Sequence, residues 1–184
     1  MKFFSKNSIK FLTICVFVIW GKVDCFAQVT YYSKASGNAN IVSTWGTNTD
    51  GSGPSPADFI SGDIFIVRNG SSLTTSGSWN IDDGGITNGG VLRIATGGLL
   101  TASNAITFSG SSITGTTFSI QNGGTYQHAL STNISTSILS ATTLDFQTGS
   151  NFEIRATGSH TNAAGAVFYN LTINNSATVT INNT

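Results

Sequence analysis

Residues able to do acid–base or metal chemistry are few in this chain, and their spacing keeps them apart. Cleaving a glycosidic bond needs two carboxylates facing one substrate, or a carboxylate with Lys or Arg beside it. Beyond residue 27 the acids are Asp50, Asp58, Asp63, Asp82, Asp83, Asp145 and Glu153. Asp82 and Asp83 fall in a turn, whereas Arg68, Arg93 and Asp145 fall at unmatched heights of an outward strand face. Glu153 and Arg155 share the following strand of one repeat. His128 and His160 are the only histidines, and neither has a second His or a carboxylate at ligand spacing, so no metal site is predicted. Asn48-Thr-Asp-Gly51 has the look of a calcium loop, but Gly46 and Ala57 stand where its first and last ligands are needed. No glycine-rich phosphate loop or nucleophile elbow occurs. Tyr31, Tyr32 and Trp45 offer flat faces for stacking on sugar rings, or else form the core of an N-terminal cap, and the cap reading is the one taken. No residue is therefore assigned as catalytic, cofactor-binding or metal-ligating, and no cofactor is expected.

The elements that would hold these residues follow from a repeat. Leu92-Arg-Ile-Ala-Thr-Gly-Gly-Leu-Leu100 has the pattern apolar, any, apolar, any, any, Gly, any, any, apolar, and related copies start at Phe65, Phe118, Leu144 and Leu171. The starts are 27, 26, 26 and 27 residues apart, a period that signals a solenoid. Alternate residues of a strand face one side, so the pairs Phe65/Val67, Leu92/Ile94, Phe118/Ile120, Leu144/Phe146 and Leu171/Ile173 are predicted to point inward. A turn column follows at Asn69-Gly70, Thr96-Gly97, Asn122-Gly123, Thr148-Gly149 and Asn175-Ser176. Asn and Gly tolerate the left-handed backbone of a sharp corner, and stacked Asn or Thr side chains can hydrogen-bond along the ladder. Beyond the corner come second inward pairs at Leu73/Thr75, Leu100/Ala102, Tyr126/His128, Phe152/Ile154 and Val179/Ile181. Third pairs are read at Trp79/Ile81, Ile106/Phe108 and Thr132/Ile134, with a loop or bulge where Gly158 and His160 should continue them. The prediction is an all-β chain, a right-handed parallel β-helix of about five coils with an N-terminal β cap.

Composition agrees with strands rather than helices. The chain has 184 residues, of which only 9% are charged, and Ser, Thr, Asn and Gly fill the gaps between apolar positions. Residues 1–27 carry Lys2, Lys6 and Lys10 before the apolar run Phe11-Leu-Thr-Ile-Cys-Val-Phe-Val-Ile-Trp20, the order of a secretory signal peptide with cleavage after Ala27. That run is too short to span a bilayer, so no transmembrane anchor is expected once the leader is removed. Both cysteines, Cys15 and Cys25, lie in the leader, and Val23-Asp24 is not the small-residue context of lipoprotein processing. The remainder holds four basic and seven acidic residues, a formal charge of −3 without any basic cluster, which excludes nucleic acid as a partner.

Residues 28–63 are read as the cap. Val29 to Tyr32 and Ile41 to Trp45 are predicted as strands around a turn at Ser36-Gly-Asn38, followed by a surface loop at residues 46–58, with Trp45, Phe59 and Ile60 as an apolar underside. Residues 64–184 form the repeats, and the last coil lacks its third strand, so further coils are expected after it. A flat threonine array of the ice-binding kind is excluded, because the outward columns Ile66, Arg93, Ser119, Asp145, Thr172 and Thr74, Thr101, Gln127, Glu153, Thr180 are broken by charges and Gln.

Three segments carry a family resemblance: Thr30-Tyr-Tyr-Ser-Lys-Ala-Ser-Gly-Asn38, Ser43-Thr-Trp-Gly-Thr-Asn-Thr-Asp-Gly-Ser-Gly53 and Gly62-Asp-Ile-Phe-Ile-Val-Arg-Asn-Gly70. With the leader, they resemble the start of large secreted bacterial surface proteins with pectin-lyase-like parallel β-helices, many exported by the type IX route. The resemblance implies an exported, extracellular or cell-surface, adhesin-like protein. It also implies extracellular glycans or cell-surface components as partners, and later coils or a C-terminal sorting domain in a longer protein. A polysaccharide-degrading β-helix enzyme is the alternative.

Overall fold

The computed structural model describes residues 28–86, 89–110, 115–163, 165–174 and 178–180, so the predicted leader lies outside the described residues. Among the described residues every paired register but one is parallel, and the structure is all-β. Strands β1 (Thr30–Ser33), β2 (Ser36–Asn38) and β3 (Trp45–Gly46) open the chain. Then follow β4 (Ile64–Val67), β5 (Ser72–Thr74), β6 (Trp79–Asp82), β7 (Val91–Ile94), β8 (Leu99–Ala102), β9 (Ile106–Ser109), β10 (Thr117–Ile120) and β11 (Thr125–His128). The last are β12 (Thr143–Phe146), β13 (Asn151–Ile154), β14 (Ser159–Thr161), β15 (Asn170–Ile173) and β16 (Thr178–Thr180). One six-stranded sheet runs β12-β10-β7-β4-β1-β3, another β15-β13-β11-β8-β5-β2, and two pairs, β6-β9 and β14-β16, stand apart.

The registers reproduce the sequence columns over the central coils. Phe65, Leu92, Phe118 and Leu144 are aligned in the first sheet, and Leu73, Leu100, Tyr126 and Phe152 in the second. The strands are short because each ends at the same corner. Backbone N–H groups of Ser71, Gly98, Gly124 and Ser150 close turns onto the carbonyls three residues earlier, with Gly70, Gly97, Gly123 and Gly149 at φ of +73, +71, +74 and +82°. A type II turn demands a left-handed residue at that position, which glycine adopts without a Cβ penalty. The corners also bond to one another: Gly70 donates to the Gly97 carbonyl, Gly97 to Gly123 and Gly123 to Gly149, at 3.1, 3.1 and 3.0 Å.

Two aromatic clusters fill the interior, with aliphatic layers between them. Near the N-terminus Tyr31 stacks on Phe65 at 5.8 Å, while Trp45 and Phe59 meet Phe65 edge-on and both touch Trp79. Farther along, Phe118, Tyr126, Phe146, Phe152 and Phe168 form the second cluster. Leu92, Ile94, Leu100 and Ile106, all fully buried, join the two.

Departures from the sequence reading each have a local cause. The cap strands join both large sheets: β1 pairs parallel with β4, placing Tyr31 beside Phe65, and β2 pairs parallel with β5. Ser36–Asn38 is thus strand rather than turn, and Val42–Thr44 forms a 3-10 turn leading into β3, which runs antiparallel to β1. Thr44 packs against Gly37, so residues 42–46 cover the edges of both sheets at this end. The cap coil departs only in length, its registers spanning 34 and 36 residues because of the loop before β4. Of its predicted underside, Trp45 is buried and Phe59 packs on the core, but Ile60 is 57% exposed.

In the third coil Thr132/Ile134 is not a strand pair. Thr132 is exposed, and two 3-10 turns, Ile134–Thr136 and Ile138–Ser140, bury Ile134, Ile138 and Leu139. Asn133 accepts the Ser135 N–H, the local side-chain bond that competes with a ladder. Serine hydroxyls then satisfy the edge of β9: Ser137 donates to the Ile106 carbonyl at 3.0 Å, and Ser140 accepts the Phe108 N–H at 3.1 Å. The loop expected at Gly158 and His160 is instead a strand, β14, with His160 fully buried.

The fifth copy is displaced by one column. Leu171 and Ile173 lie in register with Phe152 and Ile154, and Val179 lies opposite His160, each at a separation of 19 residues. The place of a first-column strand is taken by a segment without strand structure whose Phe168 stacks on Phe146 at 5.4 Å. Ile181, Asn175 and Ser176, predicted to continue the columns, lie outside the described residues.

Candidate functional site

The chemistry-bearing residues gather on the solvent face of the second sheet. Register aligns Thr74, Thr101, Gln127, Glu153 and Thr172 in one outward column, so Thr172 takes the place that the sequence overlay gave Thr180. The side chains of successive coils are joined: Thr101 Oγ1 donates to Gln127 Oε1 at 2.9 Å, and Gln127 Nε2 donates to Glu153 Oε2 at 2.7 Å. Arg155 Nη1 donates to the same Gln127 Oε1 at 3.0 Å, with its Nε 3.9 Å from Glu153 Oε1. Asn174 Nδ2 donates to Glu153 Oε1. Gln127 and Asn174 thus donate directly to the carboxylate, while Thr101 and Arg155 donate to the Gln127 oxygen, a chain in which the charge-assisted bond polarises the bonds leading to it. Both Glu153 oxygens are thereby engaged.

Arg68, Asp82, Asp83, Asp63 and Asp50 hold backbone and loop geometry. Arg68 Nε donates to the Ser33 carbonyl at 2.7 Å, tying the cap to the first repeat. Asp82 accepts from the Gly84 N–H at 2.9 Å and the Ser109 hydroxyl at 2.6 Å, and buried Asp83 accepts from the Gly85 N–H at 2.7 Å. Asp63 accepts the Val29 N–H at 2.9 Å, and its burial pushes its carboxyl above the usual carboxylate range. Asp50 holds the loop by accepting from the Ser52 hydroxyl and N–H, which pulls its carboxyl down. Asp145 is exposed on the first sheet, in register with Ser119. Ser119, read as outward, is buried. Trp45 is buried with its indole N–H donating to the Ala39 carbonyl at 2.8 Å, Tyr31 is buried against Phe65, and Tyr32 is half-buried. These three therefore present no common face to a sugar. A cavity of about 170 Å³ bordered by Asp83, Ser109, Thr116 and Ser140 lies beside residues outside the described set.

His128 and His160 meet inside, ring edge to ring face, with centroids 5.3 Å apart. A carbonyl can only accept, so His128 Nε2–H donates to Thr132 O at 2.7 Å, and Nδ1 is left to accept from the Tyr126 hydroxyl at 3.1 Å. Burial lowers the His128 pKa to about 4, against the pull of the Thr132 carbonyl. Buried His160 has a hydrogen-bond partner at neither ring nitrogen. Among the described residues no group of three or more His, Cys, Asp or Glu is placed to hold a metal ion.

What the arrangement offers is a hydrogen-bonding column of amide, carboxylate and guanidinium groups, with one carboxylate and an Arg beside it rather than a facing pair of carboxylates. The sequence columns already set Thr101, Gln127 and Glu153 side by side on an outward face, and spacing picked out Arg155; the hydrogen bonds among them and the part played by Asn174 were not foreseen. Among the described residues no helix is long and apolar enough to cross a membrane. No family model matches the chain, and no curated protein or solved structure matches it either.

Proposed function

We propose that the chain winds as a right-handed parallel β-helix and serves, secreted or on a cell surface, as an adhesin-like or structural scaffold without a catalytic site of its own. The observation that carries this reading is the parallel register repeated at 26 or 27 residues through the central strands of both six-stranded sheets, with polar side chains bonded from strand to strand on the outside. Parallel crossovers in one sheet are right-handed in nearly all known proteins. The leader supports export, and the resemblance of the opening segments supports the bacterial surface and the type IX route. Extracellular glycans or cell-surface components are the partners this reading implies, met by the Gln127–Glu153 column.

The Glu153–Arg155 pair favours a second reading, a polysaccharide lyase or hydrolase. The bonds already made by both Glu153 oxygens weigh against it. The purified protein, incubated with acidic and neutral polysaccharides, is expected to leave chain length unchanged. Cleavage that disappears in Glu153→Gln or Asp145→Asn would overturn the scaffold reading.

A further inference from the structure

We infer that His160 is an acid-sensitive latch: when its ring is protonated, β14 and β16 separate from the third coil and the C-terminal end of the chain opens. Its ring is fully buried and no hydrogen bond is formed at either nitrogen; the acceptor that pulls on it, the Thr132 carbonyl, already takes the His128 Nε2–H, and its pull is weaker than the opposing effect of burial. A second ring charge there finds no free acceptor on His128, whose Nδ1 is engaged by Tyr126. From β11 the titratable groups facing the pair are His128 itself and Tyr126. Inward residues contributed by neighbouring elements are Ile154 from β13, Ile134 from the first 3-10 turn and Val179 from β16. Glu153 and Arg155 belong to the outer face with Gln127, so no carboxylate among the described residues faces the rings. A buried cation without an anion costs several kcal/mol or is avoided by local opening.

The sign follows from burial. Both rings are held below the ordinary histidine range, His128 at about 4, while an unfolded histidine takes its proton near 6.5. Stability from the neutral rings is therefore complete above that value and is lost as the pH falls towards the folded values.

Opening is local because the latch region is the least secured part of the fold. Strands β14 and β16 have three residues each and pair only with one another. They are tied to the third coil through Thr161, whose hydroxyl accepts from Asn133 Nδ2 at 2.7 Å and whose N–H donates to Asn133 Oδ1 at 2.9 Å. The layers around Trp79, Leu92 and Phe118 are buried throughout. Segments with few buried contacts open at a fraction of the global free energy.

Hydrogen–deuterium exchange, corrected for the intrinsic pH dependence of amide exchange, tests this on the full chain at about pH 7 and about pH 5. Protection of β14 and β16 is expected to fall about tenfold or more at the lower pH, with β4 and β7 unchanged, and His160→Leu is expected to abolish the fall. An unchanged wild type, or a His160→Leu variant that keeps the acid response, overturns the inference. Should that variant fail to fold, proton NMR of the wild-type imidazole C–H resonances decides. A His160 ring that titrates near 6.5 while β14 stays protected overturns the latch, and a ring that takes its proton only as protection is lost supports it.

Discussion

Alanine placed at each glycine of the corner column separates two costs that ordinarily arrive together. Gly70, Gly97, Gly123 and Gly149 share a left-handed backbone, with φ between +71 and +82°. An alanine there carries a conformational penalty of roughly 1–2 kcal/mol at all four. The loss of denatured-state freedom, worth about 0.4–1 kcal/mol in the opposite direction, is also common to them. What differs is the space beyond. A Cβ at Gly97 would lie 2.3 Å from Asn69 Oδ1, and one at Gly149 would lie 2.2 Å from Asn122 Oδ1. At Gly123 the nearest atom is Thr96 Cγ2 at 3.6 Å, and at Gly70 nothing lies within 4 Å. The asparagines must therefore swing away from their rotamers, adding about 0.5–1.5 kcal/mol. In urea titrations Gly97→Ala and Gly149→Ala are expected to lose that much more than Gly70→Ala and Gly123→Ala. Adding Asn69→Ala to Gly97→Ala should bring its cost down to that of Gly123→Ala. Four equal losses would refute the seating of each asparagine over the next coil's glycine, and a larger loss at Gly70 would refute the corner geometry itself.

Ile120 is fully buried between Ile94 and Phe146, so Ile120→Asn should cost about 2–5 kcal/mol for the lost side chain and about 1–3 kcal/mol more for an unpaired polar group. Gln121→Thr should change the urea midpoint by no more than about 0.5 kcal/mol in equivalent stability, and the reverse order would condemn the register. Ser137→Ala strands the Ile106 carbonyl, and a loss of about 1–3 kcal/mol is expected by thermal or urea melts; a neutral result would show that β9 needs no hydroxyl at its edge.

The first sheet was legible because two signals coincide in it. Apolar pairs at Phe65, Leu92, Phe118 and Leu144 are each followed by a glycine at a fixed offset, and the structure puts those four residues side by side. The fifth start misled because apolar-any-apolar describes both columns: Leu171-Thr-Ile173 fits beside Leu144 as well as beside Phe152, and pattern alone cannot count a coil shortened to 19 residues. Serines at 137 and 140 carried no strand signal, yet their hydroxyls replace a backbone partner for β9. At the site, charge marked Glu153 and Arg155 and the repeat overlay set Gln127 beside Glu153, but nothing in a neutral Gln announced that it would bond both. The meeting of His128 with His160 was hidden because their separation of 32 is the register step from His128 to Ile154, which contains the 3-10 segment, plus the six residues that lead into β14.

The short, repeated spans between paired strands bear on how the molecule is made. Among the described residues no register joins positions more than 36 apart, and most join positions 26 or 27 apart. Loop-closure entropy grows only with the logarithm of such spans, so each pairing faces nearly the same modest cost regardless of how long the chain becomes. The cluster of Tyr31, Trp45, Phe59, Phe65 and Trp79 is complete once synthesis has passed Trp79, and it leaves β4 and β5 as formed edges. Every later strand then emerges from the ribosome next to a template already in place. Assembly can run from the N-terminus in step with delivery of the chain, and no strand has to wait for a distant partner.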